Sequence, residues 1–324
     1  MTQKFKVLVT RKWPSTVEKE LDDNFDVTLN ESDIPMTEEQ LFDAINSYDA
    51  VLPTVTDSIT SKIISSDKRK AKIIGNFGVG FNNIDIESAK SNGVVVTNTP
   101  EVLTDCTADI AMLLLLGVSR RASEGEFHVR KKEWSGWRPT HMMGTKVTGK
   151  TLGLVGMGRI AQAVAHKAHF GFNMKILFFD PYFNNDDIIK KFNALPCKTI
   201  EDLLKDSDFV SLHCPSTSET KGLMNIKTLA KMKKSSYLIN TARGDVVVEN
   251  DLVQALESGH IKGAGLDVFE GEPNVNPKLL NFKNVFLLPH LGSATEETRE
   301  AMGMRVLNNI QAFFNGDEPN DRVV

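Results

Sequence analysis

The chain of 324 residues is long enough for about two domains. Its 41% hydrophobic and 25% charged residues are the proportions of a globular protein, which excludes a disordered or a fibrous chain. Lys and Arg total 38 against 42 Asp and Glu, a formal net charge of −4, so the sequence carries no electrostatic footprint for nucleic acid.

The N-terminal residues Met1 to Lys6 have no apolar stretch behind their positive charges, so no signal peptide is expected. The apolar run Ala111 to Leu116 is far short of the roughly 20 residues a membrane span needs. Cys106, Cys197 and Cys214 are odd in number, far apart and without metal-ligand spacing, which points to a reducing cytoplasm and no metal.

Short β-branched runs alternate with amphipathic stretches along the chain. Strands are expected at Lys6–Thr10, Val27–Leu29, Ala50–Leu52, Lys72–Gly75 and Val94–Thr97, with helical segments such as Thr37–Asn46 between them. A second series is expected at Thr151–Val155, Lys175–Phe179, Phe209–Leu212, Tyr237–Asn240, Gly263–Asp267 and Val285–Leu288. Strands alternating with helices imply parallel sheets, because a parallel pair needs a crossover. The runs are apolar at successive positions, as in strands covered on both faces. The fold class is therefore α/β, with two doubly wound parallel-sheet units.

Asn98-Thr-Pro-Glu leads into Leu103–Val118, a long apolar helical run expected to connect the units. Arg120 to Lys150 is polar, contains Trp134, Trp137 and Pro139, and is too long for an ordinary loop, which marks it as functional or disordered. Thr295–Phe314 reads as a helix with apolar Met302, Val306, Ile310 and Phe313, placed to return to the first unit.

The strand Thr151–Val155 runs into Gly156-Met-Gly158-Arg-Ile-Ala161 and an apolar helix over Ala161–Phe170. The first glycine permits a tight turn and the second lets the backbone approach a pyrophosphate; the third position, here Ala161, governs helix–strand packing. The helix N-terminus presents unpaired N–H groups to phosphates. The next strand ends at Asp180, 22 residues after Gly158, the spacing of an acid that binds ribose hydroxyls. A carboxylate there repels a 2′-phosphate, and Pro181-Tyr182-Phe183 supplies no arginine, so NAD(H) is favoured over NADP(H). The alternative is that Asp180 merely caps a turn before Pro181.

In open α/β sheets ligands bind beyond the carboxyl ends of the strands. Three neighbouring expected strands end in charged residues there: Asn240-Thr-Ala-Arg243-Gly-Asp245, Asp267-Val-Phe-Glu-Gly-Glu272-Pro273 and Pro289-His290-Leu-Gly-Ser293. Arginine's planar fork suits a carboxylate or carbonyl. Histidine can hand a proton to an oxygen as hydride reaches the carbon, and a neighbouring carboxylate favours its charged form. Individually these residues also read as a solvated ion-pair partner, a cap and a turn residue.

Over nearly its full length the sequence resembles the D-isomer-specific 2-hydroxyacid dehydrogenase family. The matching segments are Gly78-Val-Gly-Phe-Asn-Asn-Ile-Asp85, Leu103-Thr-Asp-Cys-Thr-Ala-Asp-Ile-Ala111, Leu154-Val-Gly-Met-Gly-Arg-Ile160, Asn240-Thr-Ala-Arg-Gly-Asp245, Gly265-Leu-Asp-Val-Phe-Glu-Gly-Glu-Pro273 and Leu288-Pro-His-Leu-Gly-Ser293. Pro289 to Thr295 and Trp134-Ser-Gly-Trp137 look most like the glyoxylate/hydroxypyruvate reductase branch.

The resemblance implies a flavodoxin-like substrate domain formed by residues 1–100 and 291–324, with a Rossmann NAD domain, 101–290, inserted into it. It implies Arg243 as substrate clamp, His290 as proton donor and Glu272 as the partner of His290. The backbone N–H groups of Val79 and Gly80 would grip the substrate carboxylate. Cofactor contacts are implied for Gly156, Gly158, Arg159 and Ile160 at the pyrophosphate, Thr107 near the nicotinamide and Asp267 at the carboxamide. Asp180, Cys214, Thr220, Thr241, Arg243, His290 and Ser293 complete that set. In the reductase branch the tryptophan matching Trp137 reaches the neighbouring subunit's site, which implies a homodimer; Trp137 reads equally as a buried interface anchor.

The implied activity is hydride transfer between NAD(H) and a small 2-oxo acid, glyoxylate or hydroxypyruvate foremost, with the substrate between the domains. Rival readings are a D-lactate or phosphoglycerate dehydrogenase, or a non-catalytic NAD-sensing protein resembling the co-repressors of this fold. Three departures stand out. Ala161 replaces the usual third glycine, and Asp180 stands where many NADPH-using glyoxylate reductases have an uncharged or basic residue. Glu101 occupies a position where glycine is expected, and the sequence offers no account of it. Formate dehydrogenases have glutamine in place of Glu272. His128, His141, His166, His169 and His260 fall outside the motifs and read as structural or surface residues.

Overall fold

A computed structural model describes residues 4–324; of the N-terminal stretch read for a signal segment, Met1 to Gln3 lie outside it. The chain divides into two compact units, Met1–Leu103 with Ala294–Val324, and Thr104–Ser293.

The first unit holds β1 (Lys6–Val9), β2 (Asp26–Thr28), β3 (Ala50–Leu52), β4 (Ile73–Gly75) and β5 (Val95–Thr97). They form a wholly parallel sheet in the order β2-β1-β3-β4-β5, with Val7 opposite Ala50 and Ile73 opposite Val95. β3 and β4 are buried at every position, which explains why their sequences show no alternation. Helix Glu38–Ser47 starts at a reciprocal cap, in which the Thr37 side chain accepts from Gln40 N–H and the Gln40 side chain accepts from Thr37 N–H. Helix Glu296–Asn315 belongs to this unit and packs on β4 and on helix Ser15–Asn24, burying Met302, Val306 and Ile310. Each such side chain contributes about 2 kcal/mol on removal from water.

Glu101 has a left-handed backbone, φ +72°, which is why glycine suits that position, and its carboxylate pairs with Nη2 of Arg305 at 3.2 Å. Arg305 also holds Asp321 with two bonds of 2.8 and 2.7 Å. That bidentate pair ties the C-terminal segment to the helix that carries Arg305.

The second unit holds β6 (Thr151–Val155), β7 (Lys175–Phe179), β8 (Leu195–Pro196), β9 (Phe209–Leu212), β10 (Tyr237–Asn240), β11 (Gly263–Leu266) and β12 (Val285–Leu287). Its sheet is also wholly parallel, in the order β12-β11-β10-β9-β6-β7-β8. β7 and β8 run out from one side of β6 and β9 to β12 from the other, so the topological switch point, where such sheets bind ligands, lies between β6 and β9. β9, β10 and β11 are buried throughout, and two apolar clusters cover the sheet. Both units are thus doubly wound α/β structures.

Differences from the sequence reading are local. β8 is a two-residue exposed edge strand with no apolar run to announce it. The helix expected over Ala161–Phe170 starts earlier, at Arg159, runs to His166 and widens into a π-helix over Lys167–Gly171. The polar stretch after Arg120 contains helix Ala122–Arg130. Among the described residues no helix is long and apolar enough to cross a membrane.

Candidate active site

The site of the second unit is built on consecutive strand ends. At β6, Gly156 takes φ +89°, and a side chain on it would meet the backbone of His213 and Cys214 at 3.0 Å. Glycine is therefore required both by conformation and by the close approach of the β9 end. Gly158 follows as the N-cap of helix Arg159–His166 with no side-chain cap and open space around it, so the helix start remains accessible to an anion. Ala161 is fully buried beneath this turn.

Asp180, at the end of β7, accepts Met157 N–H at 2.8 Å through Oδ2 and Tyr182 N–H at 3.0 Å through Oδ1. It fastens the glycine turn to the neighbouring strand, so the capping role is real. Each carboxylate oxygen can still accept a further bond from a ribose hydroxyl.

Arg243 follows β10. Asn240 fixes its loop, the side-chain amide donating to the Arg243 carbonyl at 2.9 Å and the side-chain oxygen accepting Ala242 N–H at 3.0 Å. Nη1 of Arg243 donates to the Ala242 carbonyl at 2.7 Å. Burial lowers the pKa of this guanidinium, and the charges of Glu272 and Asp245 oppose that effect. The next residue, Gly244, is pressed on the neighbouring loop so closely that a Cβ would lie 1.9 Å from the carbonyl carbon of Phe269. The Arg243 loop and the Glu272 loop therefore pack backbone to backbone.

Nδ1 of His290 lies 2.7 Å from Oε2 of Glu272, whose Oε1 accepts Phe269 N–H at 2.9 Å. Burial works to raise the Glu272 carboxyl, but the bond and charge of His290 outweigh it and hold the group below its ordinary value. With Nδ1 engaged, Nε2 is the ring nitrogen that can serve another group. His290 itself has φ +57°, a strained conformation for a residue with a side chain.

The restraint on that turn comes from Asp267. Its carbonyl accepts His290 N–H at 2.9 Å, and its carboxylate oxygens accept Leu291 N–H at 2.6 Å and Gly292 N–H at 2.8 Å. The Thr107 hydroxyl adds a bond of 2.9 Å to the Gly292 carbonyl. Both residues, expected from the resemblance at the cofactor, thus brace the histidine turn. Thr241 leaves a buried hydroxyl with no partner among the described residues. Thr220 binds the Pro215 carbonyl at 2.5 Å and accepts Thr217 N–H at 2.8 Å, so it shapes its own loop. Trp137 is 82% exposed.

One residue escaped the sequence reading. His213 directly follows β9, its ring bonded to the Ser211 hydroxyl at 2.9 Å, and burial pushes its pKa down to about 4. Its place at a strand end was the available signal. Cys214 beside it is buried, which pushes its thiol up to about 11.

In the first unit, the loop after β4 carries Val79 and Gly80. Asn76 donates to the Gly80 carbonyl at 2.9 Å, Asn98 to the Val79 carbonyl at 2.8 Å, and Thr99 N–H to the Gly78 carbonyl at 3.0 Å. These bonds fix the carbonyls and use neither the Val79 nor the Gly80 N–H.

The glycine turn, the uncapped helix start, the carboxylate at the end of β7 and the orphan Thr241 hydroxyl fit a nicotinamide dinucleotide. Comparison with known proteins agrees. Residues 112–292 match the model of the D-isomer specific 2-hydroxyacid dehydrogenase, NAD binding domain. A glyoxylate reductase of Pyrococcus horikoshii is 44% identical over 97% of this chain and 94% of its own length. A glycerate dehydrogenase of Hyphomicrobium methylovorum is 38% identical over 97% of each chain. The crystal structure of an NADPH-dependent glyoxylate/hydroxypyruvate reductase from Sinorhizobium meliloti, in complex with NADP and malonate, matches 99% of this chain and 97% of its own. The TM-score is 0.86 and the identity 31%. The sheet order of the second unit is that of a Rossmann domain, its strand ends carry an arginine and a histidine–glutamate pair, and the chain belongs to the D-isomer-specific 2-hydroxyacid dehydrogenase family.

Proposed function

We propose that the protein reduces a small 2-oxo acid, glyoxylate or hydroxypyruvate, with NADH. The observation that carries this reading is the 2.7 Å contact between His290 and Glu272, set beside Arg243 at the carboxyl ends of neighbouring strands. The names of the relatives, a glyoxylate reductase and a glycerate dehydrogenase, support the substrate class.

A bound nicotinamide supplies the hydride. The chain's own residues do the rest. Arg243 holds the substrate carboxylate or carbonyl through its planar fork, and the unspent N–H groups of Val79 and Gly80 take the carboxylate. His290 gives a proton from Nε2 to the carbonyl oxygen as the carbon becomes tetrahedral. Glu272, ionised and bonded to Nδ1, orients the ring. Gly156, Gly158, Arg159 and Ile160 take the pyrophosphate, with Asp180 on the adenosine ribose. Cys214, Thr220, Thr241, Asp267 and Ser293 lie along the rest of the dinucleotide site.

NADH rather than NADPH follows from Asp180, a carboxylate where a 2′-phosphate would need a cation. A second copy of the chain completes the protein: Phe127, Val129, Trp134, Trp137 and Met143 expose large apolar side chains on one unit, the surface of a homodimer built around Trp137.

The test is absorbance loss of NADH and NADPH with glyoxylate, hydroxypyruvate, pyruvate and phenylpyruvate. Rapid NADH-linked turnover of the two small polar acids is expected. Binding of NADH without turnover of any acid would overturn the enzymatic reading.

A further inference from the structure

Asp180 is not the only carboxylate at the adenosine end. Tyr182, two residues further on, donates its hydroxyl to Oε2 of Glu219 at 3.2 Å. Tyr182 follows β7 and Glu219 lies in the loop after β9, while β6, ending in the glycine turn, runs between those two strands. The bond therefore spans the carboxyl end of β6, above the turn that receives the dinucleotide.

Both ends of this strap are fixed. Tyr182 N–H is held by Oδ1 of Asp180 at 3.0 Å. Glu219 N–H is held by the Thr217 hydroxyl at 3.3 Å, in a loop that Thr220 closes through Pro215 and Thr217. The negative charge of Glu219 helps to raise the Tyr182 phenol, and that of Asp180 reaches the Cys214 thiol at the β9 end, so one local field covers this side of the sheet.

We propose that Glu219, positioned by Tyr182, is a second specificity-determining carboxylate that excludes a 2′-phosphate from the adenosine end. This rests on the reading of the site as one for NADH. A 2′-phosphate carries up to two negative charges near neutral pH. One carboxylate within about a Debye length of it in water weakens binding on the order of fivefold at low salt and about twofold near physiological ionic strength. Asp180 acts by direct contact with the ribose hydroxyls; Glu219 acts through its field, without touching the ribose of NADH.

The full chain and its Glu219→Gln and Tyr182→Phe variants are titrated calorimetrically with NADH, with 5′-AMP and with adenosine 2′,5′-bisphosphate. Glu219→Gln is expected to tighten the bisphosphate about fivefold at low salt, to change 5′-AMP far less, and to lose most of that gain in 0.5 M salt. Tyr182→Phe, which keeps the ring but frees the carboxylate, is expected to give part of the same gain. Equal effects on both nucleotides, or a gain insensitive to salt, would overturn the proposal. An inert Tyr182→Phe beside an active Glu219→Gln would overturn the positioning role of Tyr182. If neither nucleotide nor NADH binds any of the three proteins, the dinucleotide reading itself fails and takes the proposal with it.

Discussion

Glu272 joins two residues that lie on either side of it in the chain: through Oε2 it holds Nδ1 of His290, 18 residues on, at 2.7 Å, and through Oε1 it holds the backbone N–H of Phe269 at 2.9 Å. The carboxylate is therefore oriented by its own loop before it orients the imidazole. The bond and charge of His290 keep that carboxylate ionised against the effect of burial. In Glu272→Gln the imidazole loses the charged acceptor that orients it, and kcat for reduction of the 2-oxo acid is expected to fall on the order of tenfold. Unchanged turnover would separate the two residues functionally.

Arg243 presents a fork that lysine lacks. Arg243→Lys keeps the charge but loses the bidentate geometry, so kcat/KM for the 2-oxo acid is expected to fall on the order of a hundredfold. Near-normal turnover in that variant would exclude the clamp.

The loop carrying Arg243 has no room beside it. In Gly244→Ala the new Cβ would stand 1.9 Å from backbone carbon of Phe269, and backbone cannot swing away as a side chain can. A loss of about 3 kcal/mol is expected in urea denaturation, with reduced activity because the Arg243 and Glu272 loops are forced apart. Unchanged stability would contradict that close packing.

His213 gives the fold an acid-sensitive element. Its folded pKa of about 4 lies below the unfolded value, so between about pH 6.5 and 4 the unfolded chain binds the proton and the folded one does not. Stability is complete above that window and falls as pH drops through it, by up to about 3 kcal/mol at this site. His213→Gln should flatten this part of the melting temperature profile between pH 7 and 5. An unaltered slope would place the acid sensitivity elsewhere.

Much of this architecture was legible because its physics is local. Strands covered on both faces are largely apolar at successive positions, and Thr151–Val155, Lys175–Phe179, Phe209–Leu212 and Tyr237–Asn240 fall where the apolar runs placed them. The glycine turn was legible because Gly156 needs both a positive φ and contact with the β9 end. Other features depend on partners distant in sequence. The sequence points to Asp267 as a cofactor contact, and nothing in it tells that the same carboxylate holds Leu291 and Gly292, 24 and 25 residues away. No periodicity reveals that His213 is half-buried or that Glu101 has φ +72°; both follow from the packing of neighbouring segments. β8 is too short for any pattern, and a widening from α- to π-helix at Lys167 leaves hydrophobic spacing almost unchanged.

The bond from Thr107 to Gly292 has a mechanical meaning. The chain enters the seven-stranded unit at Thr104 and leaves it after Ser293, so this single contact knots entrance to exit within a few residues of each crossing. His290 sits on the inner side of that knot, in a turn whose three successive N–H groups, from His290 to Gly292, are all held by Asp267. A pull transmitted along either connection meets that contact before it reaches the turn that carries His290.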